Sequence, residues 1–279
     1  MTDRLACLTL DVEPDVPGNG GIQLFDDPGR FVWFRDTLRN AEAPLTAFVV
    51  MQHAERHALA LAELAESGPL EFAIHSYSHD RNNTASHDEV RRARDVFVKL
   101  WGRTPEGYRA PYGLIDGDGL RTLMGEGFIY DSSIFPTLRI DEFGYNHLGY
   151  PRAPFIFTDG SRDLVEVPIA ALRACRLIYS LSFVKLFGPA TFHHLMRVFP
   201  LPDVVVVDFH PYDLYIDCIP HTFKPWKRFA HLRNASRAPE ILVNMIETLR
   251  GQGYRFTSVG EVARRSAVSP SSRRVFVPR

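Results

Sequence analysis

The sequence of 279 residues is poor in cysteine, in charge of one prevailing sign and in long apolar runs. Its three cysteines, Cys7, Cys175 and Cys218, show no CxxC spacing. This scarcity argues against a disulfide framework and favours a reducing compartment, so we expect a cytoplasmic protein.

The charge balance argues against a further class of protein. Lys and Arg number 32, and Asp and Glu number 33, which gives a formal net charge of −1. A chain so evenly charged has no global attraction to nucleic acid, and we expect no nucleic-acid partner.

The apolar residues point to a globular core. No apolar run reaches the roughly 18–20 residues that a membrane-spanning helix needs. The first residues show neither the apolar region nor the small-residue cleavage site of a signal peptide, so we expect none. Hydrophobic residues still make up 45% of the sequence, and a chain of this length can bury a full core.

Strand-like apolar runs alternate with helical patterns along the chain. The predicted strands lie at residues 4–12, 45–50, 70–74, 107–112, 128–130, 164–168, 204–209 and 254–256. The predicted helices lie at residues 27–40, 54–66, 87–101, 116–125 and 238–251. About seven alternations of this kind are typical of a parallel β/α architecture.

The domain organisation is predicted to be simple, because no linker divides the chain. We expect one α/β domain over residues 1–264, with an irregular inserted segment at 137–200. Residues 265–279 are polar and are expected to form a mobile tail. A glycine-rich loop is expected at 17–21. The oligomeric state is left open.

Polar side chains follow the predicted strands at the points where those strands end. Since the carboxyl ends of parallel strands face one way and carry the chemistry of such folds, these residues are expected to share one rim. They are Asp11, Glu13, His75, His79, Arg109, Pro111, Tyr112, Asp131, Asp208 and His210.

The pair His75 and His79 suits two imidazoles that bind one metal ion, although two surface histidines would show the same spacing. A third ligand is often a carboxylate. Asp11 and Glu13 are two apart in a strand and point to the same side, so one can bind metal while the other accepts a proton. Such a set is sufficient for metal-assisted hydrolysis, with an imidazolium protonating the leaving nitrogen.

Five motifs in this order resemble the NodB-type polysaccharide deacetylases, a carbohydrate esterase family. The resemblance covers about residues 5–262. The motifs are Thr9-Leu10-Asp11-Val12-Glu13, His75-Ser76-Tyr77-Ser78-His79, Arg109-Ala110-Pro111-Tyr112, Tyr130-Asp131-Ser132-Ser133 and Asp208-Phe209-His210-Pro211-Tyr212. Each motif alone is weak, but the ordered set is specific.

The resemblance implies a distorted (β/α)7 barrel and a divalent metal, most often zinc, with cobalt, manganese, nickel or iron as other candidates. It implies that Glu13, His75 and His79 are the metal ligands. It also implies that Asp11 is the general base and His210 the general acid.

The remaining motif residues receive supporting roles from the same resemblance. Arg109 would hold Asp11 in place, and Asp131 would orient or tune His210, although Asp131 can equally be a helix cap. The backbone N–H of Tyr112 would help to bind the oxyanion. Pro111, Tyr112 and Tyr212 are expected to contact substrate.

The first motif departs from the commoner family pattern of two adjacent aspartates. Val12 occupies the second position, and Glu13 stands where the D-x-D/E branch carries its ligand. Glutamate is longer than aspartate by one methylene, so the metal can sit differently or bind more weakly. Asp15 is the alternative ligand.

The expected activity is removal of an N-acetyl group from an amino sugar in a surface polysaccharide or glycolipid precursor. The substrate partner would be an N-acylated sugar or glycan. Two alternatives stay open: a deformylase or cyclic-amide hydrolase of the same family, and a non-catalytic carbohydrate-binding protein on this scaffold.

Residues 172–199 combine apolar side chains with scattered cations. A basic amphipathic segment can pack as a cap on the barrel or lie on a membrane surface. We favour the cap, and keep peripheral membrane contact at the inner membrane face as the second interpretation.

Overall fold

The computed structural model describes residues 3–15, 21–141, 144–217, 219, 223–268 and 275–276. The predicted loop residues 17–20 and Cys218 lie outside this part of the chain.

The described residues form twelve strands, ten of which belong to one curled sheet. In chain order they are β1 (Leu5–Val12), β2 (Leu45–Val49), β3 (Leu70–Ile74), β4 (Gly107–Tyr108), β5 (Tyr130–Asp131), β6 (Leu138–Arg139), β7 (Tyr145–Asn146), β8 (Phe155–Thr158), β9 (Asp163–Glu166), β10 (Val204–Phe209), β11 (Arg255–Phe256) and β12 (Val275–Phe276).

The α-helices of the same residues cover the sheet or form its rim. In chain order they are α1 (Gln23–Asp26), α2 (Pro28–Asn40), α3 (Ala58–Ser67), α4 (His87–Trp101), α5 (Gly117–Gly125), α6 (Leu181–Phe187), α7 (Pro189–Val198), α8 (Pro211–Leu214), α9 (Pro225–Leu232), α10 (Ala238–Gly251) and α11 (Val259–Val268). Short 3₁₀ turns lie at Met51–His53, Pro111–Gly113 and Ala235–Arg237.

Seven parallel strands make a barrel. The neighbours run in the order β10, β1, β2, β3, β4, β5 and β9, and each of these pairs is parallel. A backbone hydrogen bond from Ala170 N–H to Val206 O (3.0 Å) joins the chain after β9 to β10. The expected single-domain α/β fold, a distorted (β/α)7 barrel, is confirmed.

The sequence of β1 explains its central place in the barrel. All eight of its residues are buried, as expected of a parallel strand covered on both faces. Alternate residues such as Cys7 pack inside the barrel, whereas Leu8 and Leu10 pack against the surrounding helices. The last inward position is Asp11, so the strand delivers a carboxylate to the upper rim.

A close packing contact inside the barrel requires glycine at position 107. A Cβ atom there would lie 2.0 Å from the ring of Tyr130. The ring fills the interior, and its hydroxyl donates to Glu71 Oε1 (3.1 Å). Together these contacts close the lower part of the barrel beneath the rim.

The helix signals in the sequence are present in the structure at α4. Ser86 is its N-cap, with Oγ accepting from Glu89 N–H, and Gly102 ends it in the left-handed conformation (φ 64°). No helix in the described ranges is both long and apolar enough to cross a membrane.

The inserted segment 137–200 contains more regular structure than expected. It holds the β6–β7 hairpin, β8, the partner β9, and helices α6 and α7. Its apolar residues Ile178, Tyr179 and Leu181 are buried against the barrel.

Regular structure continues past the predicted start of the tail at residue 265. Helix α11 continues to Val268, because Val259, Val262 and Ala263 bury one face against the barrel and carry the helix past that boundary. Val275–Phe276 then pairs with β8 as strand β12. The rest of the predicted tail lies outside the described residues.

Candidate active site

Strand ends from around the barrel bring the predicted polar residues to one rim. Glu13, His75 and His79 form a group in which one ligand atom of each residue lies within 4.8 Å of the others. Glu13 and His75 are buried, and His79 is partly exposed. We call these three residues the Glu–His–His group.

The electrostatics of this group favour an ionised carboxylate. Glu13 Oε2 lies 3.5 Å from His75 Nε2 and in contact with His79 Nε2. Burial opposes ionisation of Glu13, yet the two imidazoles outweigh it and hold its pKa well below the usual range. A carboxylate and two imidazoles are ligands that suit zinc and related divalent cations.

The hydrogen bonds of His75 fix which ring nitrogen is available. Its Nδ1 lies 2.8 Å from the carbonyl oxygen of Arg109, which can only accept a hydrogen bond. Nδ1 therefore donates to this carbonyl, and Nε2, on the side of Glu13, is the ring nitrogen left for a cation. This is the usual arrangement behind a metal-binding imidazole. On this observation the Glu–His–His group fits a divalent cation.

The second imidazole is held by a strained segment. His79 and Ser76 both have positive φ (60° and 61°), and Ser76 Oγ accepts from the His79 N–H (3.0 Å). The hydroxyl of Tyr112 lies 3.3 Å from His79 Nδ1, and Tyr112 also has positive φ (61°). Non-glycine residues in this conformation cluster at functional sites.

Arg109 is the centre of the polar network beneath the rim. Its Nη1 donates to Asp11 Oδ1 (2.6 Å), Asp208 Oδ1 (3.0 Å) and Thr9 Oγ1 (2.9 Å). Its Nε and Nη2 donate to Ser132. The buried guanidinium thus positions two buried carboxyl groups and offsets negative charge on them. Asp11 Oδ2 faces the other way, 3.7 Å from His75 Nε2.

Asp208 differs from Asp11 although both contact the same guanidinium nitrogen. Burial, and then the charge of Asp11, raises the pKa of Asp208 to about 7. Near neutral pH Asp208 can therefore carry a proton, while Arg109 forms its ion pair with Asp11. Asp11, Asp208 and His210 also lie close enough to be a metal-ligand group. A cation there would face Arg109, so the Glu–His–His group is the better metal site.

His210 approaches the site from the end of β10. Its Nε2 lies 3.9 Å from both Asp11 Oδ2 and Glu13 Oε1. Its Nδ1 and its backbone N–H contact Asp213 Oδ2 at 3.0 and 3.1 Å. Burial opposes ionisation of the imidazole, but Asp208 and Asp213 outweigh it and raise the pKa of His210 well above its ordinary value.

Asp213 is a functional residue that the sequence analysis missed. Ser182 Oγ lies 2.7 Å from each of its carboxylate oxygens, and Lys185 Nζ donates to its backbone carbonyl (2.6 Å). Burial opposes ionisation, but contacts with His210 and Lys185 keep the pKa of Asp213 well below its usual range. The spacing of three residues after His210, typical of a capping box, was the available signal.

The predicted contact between Asp131 and His210 is absent among the contacts of the described residues. Asp131 follows inward-facing Tyr130, so it points out of the barrel. There its Oδ1 accepts from Ser133 Oγ (2.6 Å), and its carboxyl group also contacts Glu166. Burial raises the pKa of both carboxyl groups. Asp213, not Asp131, is the carboxylate that orients His210.

Asp131 still contacts the active-site segment indirectly. Ser133 Oγ, which donates to Asp131, also accepts from the backbone N–H of Ala110 (2.7 Å). Ala110 follows Arg109 directly and precedes the 3₁₀ turn at Pro111–Gly113. Asp131 thus supports the backbone of the segment that carries Arg109 and Tyr112.

The predicted substrate-binding residues surround the same rim. Pro111 is buried at the start of its turn, and Tyr112 is half-buried beside His79. The Tyr212 ring stacks on His210, with centroids 4.8 Å apart and planes 11° apart. Asp15 lies outside the metal-ligand groups of the described residues, because its Oδ2 accepts from Gln23 N–H (2.5 Å) at the start of α1.

A comparison with protein families bears directly on these motifs. The family model of polysaccharide deacetylases matches residues 3–125. This stretch is therefore similar to the polysaccharide deacetylases. The predicted resemblance is thereby confirmed on the part of the chain that carries Asp11, Glu13, His75, His79 and Arg109.

A protein similar to part of this chain comes from Gibberella zeae. Its peptidoglycan deacetylase-like protein FGM2 is 30% identical over 113 residues, which is 38% of this chain. The match spans only 32% of that protein's length.

Solved structures extend the similarity to the whole fold. A Mycobacterium smegmatis protein assigned as a polysaccharide deacetylase shares 17% identity and a TM-score of 0.58, over 97% of this chain and 94% of that one. Puue allantoinase shares 16% identity and a TM-score of 0.61, over 96% and 92%. At these identities the likeness shows the fold alone.

Proposed function

We propose that this chain is a metal-dependent hydrolase that removes an N-acetyl group from an amino sugar in a surface polysaccharide or glycolipid precursor. The observation that carries the proposal is the convergence of three parts at one rim. The Glu–His–His group can hold a cation, Asp11 lies beside it under Arg109, and His210 faces both carboxylates.

A divalent cation, most often zinc in this family, would be held by Glu13, His75 and His79 and would supply Lewis-acid polarisation of the amide carbonyl. The match to the polysaccharide deacetylase family and the position of His75 Nε2, left for a cation by the Nδ1 contact with Arg109 O, support this assignment. Elemental analysis of the purified protein distinguishes zinc from cobalt, manganese, nickel and iron.

The chain's own residues account for the proton transfers of amide hydrolysis. Asp11 Oδ2 takes a proton from the attacking water as the new C–O bond forms, while Arg109 holds Oδ1 and keeps the carboxylate oriented. His210 Nε2 gives its proton to the nitrogen as the C–N bond breaks. Asp213 keeps the imidazole protonated and directed toward the site.

Binding roles complete the proposal. The backbone N–H of Tyr112 is assigned to the oxyanion, since the positive φ of this residue sets the local backbone direction at the rim. Pro111 and Tyr212 are assigned to the sugar, because both flank the proton-transfer groups.

Two other functions are separated from this one by experiment. A deformylase or cyclic-amide hydrolase would use the same residues, and the fold shared with an allantoinase does not distinguish the acyl groups. A non-catalytic carbohydrate-binding protein would need neither the Asp11 base nor the His210 acid, so the intact pair favours an enzyme.

The test follows acyl release from N-acetylated and N-formylated amino sugars. We expect acetate release that stops on chelation and returns with zinc or cobalt. Formate release without acetate favours the deformylase, and ring opening of a cyclic amide favours the third hydrolase. Glycan binding by metal-free protein without release of either acid would overturn the proposal.

We also propose that the protein acts in the cytoplasm, at the inner membrane face. The exposed thiol of Cys175 supports a reducing compartment, where such a side chain stays reduced. Fractionation of cells, with Cys175 reactivity as a second readout, tests this location. Protein recovered only outside the cytoplasm would contradict it.

A further inference from the structure

Helix α9 turns its apolar side chains toward solvent. Trp226, Phe229 and Leu232 are 53%, 56% and 53% exposed, and no residue of the helix is buried. Their spacing of three residues places them along one side of the helix. An isolated exposed apolar residue is normal, but three large ones on one helix form a patch that calls for a partner.

His231 and Arg228, on the same helix, contact the protein instead. The His231 ring packs edge-on against Tyr212, with centroids 5.7 Å apart. Lys227 and Arg228 are half-buried, and Arg228 Nη1 donates to the carbonyl of Ile219 (3.5 Å). This orientation is the reverse of an ordinary surface helix, whose apolar face points to the core.

The end of α9 is fixed to α6. Arg233 Nε donates to Leu186 O (2.9 Å), and Asn234 Nδ2 donates to Lys185 O (2.7 Å). The adjacent Phe187 is itself 45% exposed. The apolar patch is therefore held on a supported element of the fold.

The charge around the patch has one sign. Between Asp217 and Glu240 the sequence contains no acidic residue. The same stretch contains five cationic residues, Lys224, Lys227, Arg228, Arg233 and Arg237. Because the whole chain has a formal net charge of −1, this excess is a local property. The partner of this surface must accept apolar side chains and supply negative charge.

We propose that this surface, defined by Trp226, Phe229, Leu232, Lys224 and Arg233, docks onto an anionic lipid bilayer. Tryptophan, phenylalanine and leucine enter the boundary between headgroups and acyl chains, while lysine and arginine contact anionic headgroups. A second copy of this chain is disfavoured, because a symmetric contact would bring two sets of five cations together.

The docking surface lies beside the candidate active site. His231 packs on Tyr212, whose ring stacks on His210. Docking would therefore hold the rim near the headgroup layer, where a lipid-linked amino sugar would be presented. This consequence for the substrate rests on the proposed hydrolase, whereas bilayer docking itself does not. It also moves the main membrane contact from residues 172–199, where Ile178, Tyr179 and Leu181 are buried, to α9.

Flotation of the full chain with vesicles tests the docking. We expect binding to phosphatidylcholine vesicles that contain phosphatidylglycerol, at least about tenfold weaker binding without it, and loss at high salt. Trp226→Ser/Phe229→Ser should weaken binding at least about tenfold. Leu59→Ser is the matched control, since Leu59 is an exposed apolar residue on α3, and it should bind as the parent does.

Two further variants test whether positive charge contributes to docking and whether docking depends on enzymatic activity. Lys224→Glu should weaken binding to the anionic vesicles without changing the thermal melt. Asp11→Asn, which disables the proposed base, should float like the parent, so a failed enzyme and a failed docking surface are distinguishable. Absence of binding, equal binding by the Trp226/Phe229 double variant, or a dimer that this variant dissociates would overturn the proposal.

Discussion

His210 Nδ1 lies 3.0 Å from Asp213 Oδ2, and the same oxygen accepts the backbone N–H of His210 at 3.1 Å. One carboxylate thus fixes both the ring and the backbone of the proposed acid. It also contacts Ser182 and Lys185 of α6, so the inserted segment contributes to the site.

Replacing Asp213 tests this relationship through the pH profile. The pKa of His210 is raised, and a general acid must be protonated, so activity falls as pH rises through that pKa. Asp213→Asn removes a negative charge and lowers the pKa. We expect the alkaline limb of kcat/KM to move to lower pH, with kcat falling by about 10–100-fold. Ser182→Ala, which removes one contact of Asp213, should have a smaller effect; an unmoved limb would contradict the assignment.

Asp11→Asn separates proton transfer from metal binding. Asparagine keeps the shape of the side chain and can still accept from Arg109, but it cannot take the proton of water. We expect unchanged metal content and a kcat lower by at least about 10³-fold. The measurements are elemental analysis and acetate release. Surviving turnover would show that another group is the base.

His75→Ala should act on the metal instead. The variant removes one nitrogen of the Glu–His–His group and leaves the carbonyl of Arg109 without its donor. We expect metal affinity to fall by about 100-fold or more, measured by competition with a chelator. His53→Ala is the control, because His53 also follows a strand but lies outside the metal-ligand groups of the described residues.

Arg109→Met should damage stability as well as activity. It leaves the buried carboxylates Asp11 and Asp208 without their shared cation. Breaking a buried ion pair from one side costs about 3–5 kcal/mol, so denaturant unfolding should show a loss of that order. Adding Asp208→Asn removes one of the two carboxyl groups left unpaired and should recover part of the loss. Arg139→Met, at a half-buried pair, is the control.

Glu166→Gln tests the buried carboxyl pair with Asp131. Burial and then Asp131 raise the pKa of Glu166 well above its usual value, so the folded state holds more protons than the unfolded chain. Stability therefore declines as pH rises from the unfolded pKa, about 4.3, toward the folded pKa. The glutamine variant lacks this titration.

The expected result is a thermal midpoint that falls less with rising pH in Glu166→Gln than in the parent. A difference of about 1 kcal/mol corresponds to roughly 2–4 °C in a domain of this size. Scans at about pH 5 and about pH 8.5 make the comparison. Glu240→Gln, at an exposed position, should follow the parent. Parallel slopes for Glu166→Gln and the parent would rule out the shared-proton pair.

The strand ends and their motifs could be predicted from the sequence because both depend on local pattern. Buried apolar runs such as β1 and β10 can be recognised as strands, and the polar residue at the end of each lies at the rim of the barrel. Motif order then indicated the resemblance to the polysaccharide deacetylases, whose family model matches residues 3–125. The group formed by Glu13, His75 and His79 follows from the same information.

Contacts between distant elements could not be predicted in this way. Asp213 lies three residues from His210, but Ser182 and Lys185, which hold it, come from an insertion with no periodic signal that points to the site. Helix α9 escaped prediction for a related reason. Its apolar residues face solvent, but their spacing is the same as in a helix that buries them. The sequence pattern therefore does not show that they are exposed.

The sequence by itself determined the barrel and the polar residues that meet at its rim, since each is encoded within a few residues of a strand end. Only the tertiary structure decided which carboxylate contacts the imidazole of His210. Side chains alternate between the two sides of a strand, so Asp131, next to inward-facing Tyr130, points out of the barrel to Glu166. Asp213 is turned inward by the short helix α8 and meets the imidazole.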